Sequence, residues 1–501
     1  MVEYKLQEPP YVPCQEQVKP PLLDQGPSNL VTSEEENITS NKDWISRDRQ
    51  CVIHGHQHYV NPRDSVVFQK AFGSSYWDVN NVEYIDMMGG LHNNHVGHGR
   101  EELAIVAANQ MKQMEFSLNV ASYSHVCVIQ CAEKILSLAK SECPTMDKVY
   151  FTSGGSEAVE SAIHCALKYW QVQGKNSKRK IISFKNCYHG STFISSSLNE
   201  SMKEEYGLER VSVKEQTQNA CCLNIDFPHD LVIDSKSKSH SNNGYYVAEQ
   251  LENLIKQVGA DNIAAFIAEP IQGSGGALEP HPDFFPLAKR ICDKYGVLLI
   301  VDEVMTGFGK TGKWFAISNF NIEPDMIVFG KGITSGYVPL GGIIISKNIF
   351  ECVFKSEETF LHDYTYSGHP VCCMVALKNL EIIENEKLIQ RAKAMGDQFR
   401  NILAERLRDC PLFAGTSGMG LLIGVMLKEK VSTKVEHYLA HHCHILADHC
   451  AQNDKVVIMT PPFIIEEDKL NMVANGFYDA LQSIGSSQSS STTVGPSKSE
   501  E

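Results

Sequence analysis

Short, almost unbroken apolar runs recur through the middle of this chain, at 148–151, 180–184, 263–268, 297–301, 326–329 and 342–346. Each is short enough to be a buried strand, and the stretches between them read as helical. In one such stretch Ala158, Val159, Ala162, Ile163, Ala166, Leu167 and Trp170 fall on a single face at helical spacing. Ser156 reads as the N-cap of that helix. Strands apolar on both faces, alternating with helices, predict a parallel or mixed sheet covered by helices, an α/β fold.

At 501 residues the chain is long enough for two or three domains. The stretch 385–425 reads as a long helix ending near Asp409, then Gly415 to Gly420 and a strand at 421–426. A last strand at 456–459 precedes Pro461 and Pro462. The reading is a large domain over 95–375 and a smaller α+β domain over 376–483, which 41–94 joins from the N-terminal side. Residues 1–40, with Pro9-Pro10 and Pro20-Pro21, read as a disordered or extended arm. Residues 484–501 read as a flexible Ser-rich tail.

With 43% hydrophobic and 21% charged residues, the composition excludes global disorder. The 45 basic residues against 60 acidic ones leave a charge of −15, which argues against a nucleic-acid binder. The 16 cysteines are scattered through apolar runs, as expected of reduced thiols. No run of apolar residues is long enough to span a membrane. The opening Met1-Val2-Glu3-Tyr4-Lys5 has neither signal-peptide nor presequence character, so the expectation is a cytoplasmic protein with no membrane partner.

Three features carry chemistry. A strand runs into Gly154-Gly155-Ser156 and a helix, and free amides at a helix N-terminus suit a phosphate. Alone, such a turn is also an ordinary turn. Asp302 ends the apolar run Leu298-Leu299-Ile300-Val301, where ligands bind in open α/β sheets. Lys331 follows Met326-Ile327-Val328-Phe329-Gly330, and desolvation there would lower its pKa and suit a Schiff-base amine. A phosphate cradle, an acid and a strand-end lysine are the set needed to hold pyridoxal phosphate. The acid would pair with the ring nitrogen and the lysine would take the aldehyde carbon.

From here the sequence resembles the class III (omega) aminotransferases of the type I pyridoxal-phosphate fold, over about residues 50–480. The resemblance rests on Asn94-His95-Val96-Gly97-His98-Gly99-Arg100, Gly155-Ser156-Glu157-Ala158, Tyr188-His189-Gly190-Ser191-Thr192 and Glu269-Pro270-Ile271-Gln272-Gly273. It continues through Val301 to Gly312, and through Thr365-Tyr366-Ser367-Gly368-His369-Pro370. It implies a large domain with a mixed, mostly parallel seven-stranded sheet between helices. Lys331 would carry the cofactor and move the proton, and Asp302 would pair with the ring nitrogen. Gly155 and Ser156 would hold the phosphate, with Tyr188 on one ring face and Val304 on the other. Thr365 would reach the cofactor phosphate of the neighbouring subunit, which implies a homodimer with shared sites.

The Thr365 to Pro370 block looks like the branch that moves the amino group of an omega-amino acid or amine to pyruvate by a ping-pong mechanism. Ser274 and Met305 stand where the ornithine and 4-aminobutyrate branches carry Glu and Gln. Two departures stand out. No Arg follows Arg408, although the family carries one there to grip a carboxylate. His92 stands where relatives that take bulky amines have Trp, which with His58 marks a more polar pocket. The missing Arg also resembles phospholyases that eliminate phosphate from phosphoethanolamine-like amines; a weakly active cofactor-binding homologue is the remaining alternative. His441-His442-Cys443-His444 and His449-Cys450 fit no common zinc spacing, and no metal is expected. Asp302→Asn is expected to lose most turnover while the cofactor stays detectable by absorbance; near-normal turnover would refute the electron-sink role.

Overall fold

The computed structural model describes residues 41–55, 65–199, 221–227, 243–450 and 454–491. The chain falls into two compact units, Met1–Val67 and Phe68–Glu501. In the first, Asn41–Cys51 is helical; the arm expected over 1–40 lies outside the described residues. The boundary at Val67 splits the segment 41–94 that the sequence reading kept whole. It falls where strand pairing begins, since Phe68 opens the first paired strand.

Among the described residues the second unit has fifteen strands. β1 (Phe68–Phe72), β2 (Ser75–Asp78) and β3 (Glu83–Asp86) come first. Next are β4 (Met146–Thr152), β5 (Lys180–Phe184), β6 (Cys222–Ile225), β7 (Ile263–Ala268), β8 (Leu298–Asp302), β9 (Met326–Phe329) and β10 (Gly341–Ser346). The last are β11 (Phe413–Met419), β12 (Leu422–Leu427), β13 (Ile445–Leu446), β14 (Asp448–His449) and β15 (Val456–Met459). The central seven form one sheet in the order β4-β10-β9-β8-β7-β5-β6. Only β10 runs antiparallel to its neighbours, so the sheet is mixed and mostly parallel, as in the type I pyridoxal-phosphate fold. Two four-stranded sheets, β1-β2-β3-β13 and β11-β12-β15-β14, flank it in sequence.

The sheet is buried on both faces because its side chains alternate between two apolar layers. Phe266, Ala268, Leu299, Val301, Ile327 and Phe329 join one layer, with Phe284 and Ala288 of the helix Phe284–Tyr295. Ala265, Ile267, Ile300 and Val328 join the other, with Ala158, Val159, Ala162, Ala166 and Trp170 of the helix Gly155–Val172. That helix face is the one its spacing predicts.

Several elements escape the pattern. β6 is four residues long, and β1 to β3 carry mixed burial with no clean alternation. The glycine-rich stretch at 415–420 is mostly strand, because β11 pairs antiparallel with the fully buried β12 and its backbone, not its side chains, makes the ladder. The last helix runs from Glu467 to Ser491, into the stretch read as a tail. A helix already anchored by Val473, Phe477 and Leu481 propagates at little cost through poor formers such as serine.

One buried cation ties three elements together. Lys178 Nζ donates to the carbonyls of Ala260, Ile263 and Gly296 at 2.7, 2.9 and 2.7 Å, and lies 4.4 Å from the Trp170 ring centre. Burial pushes its pKa down to about 8. Lys178→Met keeps the stem but strands three carbonyls, so it should cost about 3 kcal/mol, read as a drop in unfolding free energy by chemical denaturation.

Candidate active site

Parallel strands deliver their C-terminal ends to one edge of the sheet, and the charged groups emerge there. Glu269 follows β7, Asp302 ends β8, and Lys331 follows β9 after Gly330. β4 runs parallel to these three, being antiparallel to β10, and its end leads into the helix Gly155–Val172. Gly155, Ser156, Tyr188, Asp302, Val304 and Lys331 all line one cavity there, together with His189, Gly190, Glu269, Ser274, Met305 and Thr306. Its enclosed volume is about 140 Å³.

The phosphate end is the start of the helix Gly155–Val172. Gly154, not Ser156, is the N-cap. Ser156 lies inside the first turn, and its Oγ accepts from the Ser191 amide at 3.1 Å, tying the 188–192 loop to the helix. A Cβ on Gly155 would sit 2.7 Å from Val304 Cγ1, so only glycine lets the helix start approach the strand ends this closely.

Asp302 is held from two sides. Its Oδ1 accepts from the Val304 amide at 3.0 Å, and its Oδ2 lies 2.6 Å from His189 Nδ1. Burial alone would disfavour the imidazolium. The Cys187 sulfur and the Asp302 carboxylate outweigh it and raise the His189 pKa well above the ordinary imidazole value. His189 Nε2 is buried with no partner among the described residues.

Lys331 has φ +42, a left-handed conformation that turns it out of the strand direction. Burial lowers its pKa, against the pull of Asp302, Glu269 and Asp448. Tyr188 lines the cavity and keeps 39% of its surface exposed. The Glu269 carboxylate accepts from the Tyr188 amide at 3.0 Å and the Gly273 amide at 2.8 Å. Burial, with Asp302 nearby, pushes its pKa up to about 7 although His189 opposes this.

Other expected site residues lie elsewhere. Thr365 is exposed in a turn and does not line the cavity of its own chain. His92 is buried, with Nδ1 2.8 Å from Thr460 Oγ1 and Nε2 3.2 Å from Asp448 Oδ2, and does not line the cavity either. His58 lies outside the described residues. The sequence reading missed His189 and gave Glu269 no role. His189 stands beside Tyr188 in a quoted motif, yet only its contact across 113 residues to Asp302 reveals what it does. Among the described residues no group of three or more metal-ligating side chains exists.

The donor set fits pyridoxal phosphate. Free amides and a hydroxyl at a helix start suit the phosphate, a carboxylate suits the ring nitrogen, and a lysine of lowered pKa suits the aldehyde carbon. Fold and site together define a type I pyridoxal-phosphate enzyme. The profile of the Aminotransferase class-III family matches residues 58–481. A putrescine–pyruvate aminotransferase of Pseudomonas aeruginosa is 33% identical over 440 residues, 86% of this chain and 94% of that protein. A gamma aminobutyrate transaminase of Solanum lycopersicum is 30% identical over 433 residues, 84% and 81% of the two chains. A transaminase structure from the marine bacterium Virgibacillus superposes with a TM-score of 0.79 at 34% identity, covering 89% of this chain and all (100%) of its own. An amine transaminase from an uncultivated Pseudomonas species, solved with pyridoxal phosphate bound, gives 0.79 at 27% identity, covering 86% and 98%. The chain belongs to the class III aminotransferases and is a pyridoxal-phosphate-dependent enzyme.

Glu269 also sets a pH dependence. Its folded pKa lies above the unfolded value, so the stability it contributes is present below about pH 4.5 and lost as pH rises through about 7. Glu269→Gln should flatten that part of the profile, measured as melting temperature against pH for the wild type and the variant.

Proposed function

We propose that this aminotransferase moves the amino group of an omega-amino acid or amine to a 2-oxo acid, pyruvate, in two half-reactions of a ping-pong cycle. The observation that carries it is Lys331, of lowered pKa, in one cavity with the Asp302–His189 pair. Bound pyridoxal phosphate supplies the electron sink for the bond broken at the donor carbon. A lysine of lowered pKa is readily deprotonated, so Lys331 Nζ is able to take the proton from the carbon bearing the amine and later return it. Asp302 sits where it would hold the ring nitrogen in its protonated form, and His189 holds that carboxylate in place. The amides at the start of the helix Gly155–Val172 would anchor the phosphate, with Tyr188 and Val304 on the ring faces.

The donor and acceptor rest on two supports. Ser274 and Met305, the positions that depart from the ornithine and 4-aminobutyrate branches, both line the cavity. The relative from Pseudomonas aeruginosa is named for an amine and pyruvate. The exposed Thr365 suits a homodimer in which it reaches the partner's cofactor. A second reading, phosphate elimination from a phosphoethanolamine-like amine, has one observation in its favour, the absence of any Arg after Arg408.

A half-reaction without acceptor separates them. The holoenzyme is mixed in turn with beta-alanine, 4-aminobutyrate, taurine, ornithine and phosphoethanolamine. Loss of the cofactor band near ~410 nm with gain of the amine-form band is the expected result, and the active amine names the donor class. Phosphate release with an unchanged final spectrum would establish elimination instead.

A further inference from the structure

The cavity offers the carboxylate of a 2-oxo acid no arginine, and Lys331 is the only lysine among its lining residues. Few of the lining side chains can donate a hydrogen bond to such an anion. Lys331 is the reacting amine. His189 turns Nδ1 to Asp302, and Thr306 commits its hydroxyl to the Glu303 carboxylate. Ser156 stands at the helix start that suits the phosphate, and Tyr188 is placed to cover a cofactor face. Ser274 remains. It is half-buried, lines the cavity and has no hydrogen-bond partner among the described residues.

Ser274 lies in a turn whose ends are pinned. The amides of Gln272 and Leu278 each donate to the other's carbonyl at 3.0 Å. Inside that closure the Gly276 and Ala277 amides both donate to the Gly273 carbonyl, at 3.1 and 2.9 Å. The Gly273 amide is taken by Glu269 at 2.8 Å. The amides of Ser274 and Gly275 have no partner among the described residues, so two successive N–H groups accompany the hydroxyl. Glu269 is the anion that an incoming carboxylate would meet in this turn. With a pKa pushed up to about 7, it is able to take a proton as that anion enters.

The turn is also fixed by what packs against it. Ser417 Oγ donates to the Gly276 carbonyl at 3.0 Å. Ile271, Ala277 and Met305 share an apolar cluster with Leu422, Val456 and Ile458 of β12 and β15. A Cβ on Gly273 would sit 2.2 Å from Met305 Sδ, so the turn already lies as close to that side chain as glycine permits. A hydroxyl carried on so constrained a backbone gives up little freedom when it meets an anion.

We propose that the Ser274 hydroxyl holds the carboxylate of the 2-oxo acid acceptor, and so selects an acid over a simple aldehyde. This rests on the aminotransferase reading above. It answers the absence of any Arg after Arg408 with a neutral donor already in the cavity. A hydroxyl gives a carboxylate one charge-assisted bond where a guanidinium gives two.

The test uses protein loaded with pyridoxamine phosphate. It is mixed with pyruvate, or with acetaldehyde, which has hydrogen in place of the carboxylate. The return of the aldehyde-form band against acceptor concentration separates the half-saturating concentration from the saturating rate. In the wild type the specificity constant for pyruvate should exceed that for acetaldehyde by at least ~10-fold, the worth of one charged hydrogen bond. Ser274→Ala should cut that preference by ~10-fold, through a higher half-saturating concentration of pyruvate, and Ser274→Thr should restore most of it. Propionate, which has the carboxylate but no carbonyl to react, gives a reading without turnover. Its dissociation constant on the same loaded protein, by calorimetry, should weaken in Ser274→Ala by a similar factor. A wild-type preference near one or below overturns the proposal without recourse to any variant. So does a pyruvate preference or a propionate affinity that survives in Ser274→Ala, or a loss seen only in the saturating rate. If neither acceptor restores the band, the aminotransferase reading fails and this proposal with it.

Discussion

The charged side chains of the active site stand at the ends of apolar strands. β7, β8 and β9 are buried along their whole length and lie side by side in parallel. Their chain ends therefore emerge together, one strand spacing of about 4.8 Å apart. Glu269, Asp302 and Lys331 are the first charged groups beyond those runs. Burial then sets their chemistry, since low polarity disfavours every isolated charge. It lowers the pKa of Lys331 and raises that of Glu269.

What keeps such a cluster folded is pairing. Asp302 receives a backbone amide and His189, and Glu269 receives two amides. The pairing is local in space but not in sequence, which is why loops as distant as 188–192 and 269–273 converge on one edge. Asp448 departs from this pattern, because the partner that fixes it is a buried, neutral imidazole.

Much of this was legible in the residues. The apolar runs located six of the seven central strands, and the helix face from Ala158 to Trp170 packs as its spacing required. Six of the expected site residues share a cavity. Other features left no trace. His92 does not line the cavity, and Ser156 bonds a loop amide in place of capping its helix. The strand at 413–419 is hidden by glycines that carry no side-chain pattern.

Side-chain periodicity and motif order are properties of neighbours along the chain, so the sequence by itself determined the α/β architecture, the strand-end positions of Asp302 and Lys331 and the family. Partnership is a property of neighbours in space. That His189 secures Asp302, and that burial raises the Glu269 pKa to about 7, were decided only when segments distant along the chain were packed together and desolvated.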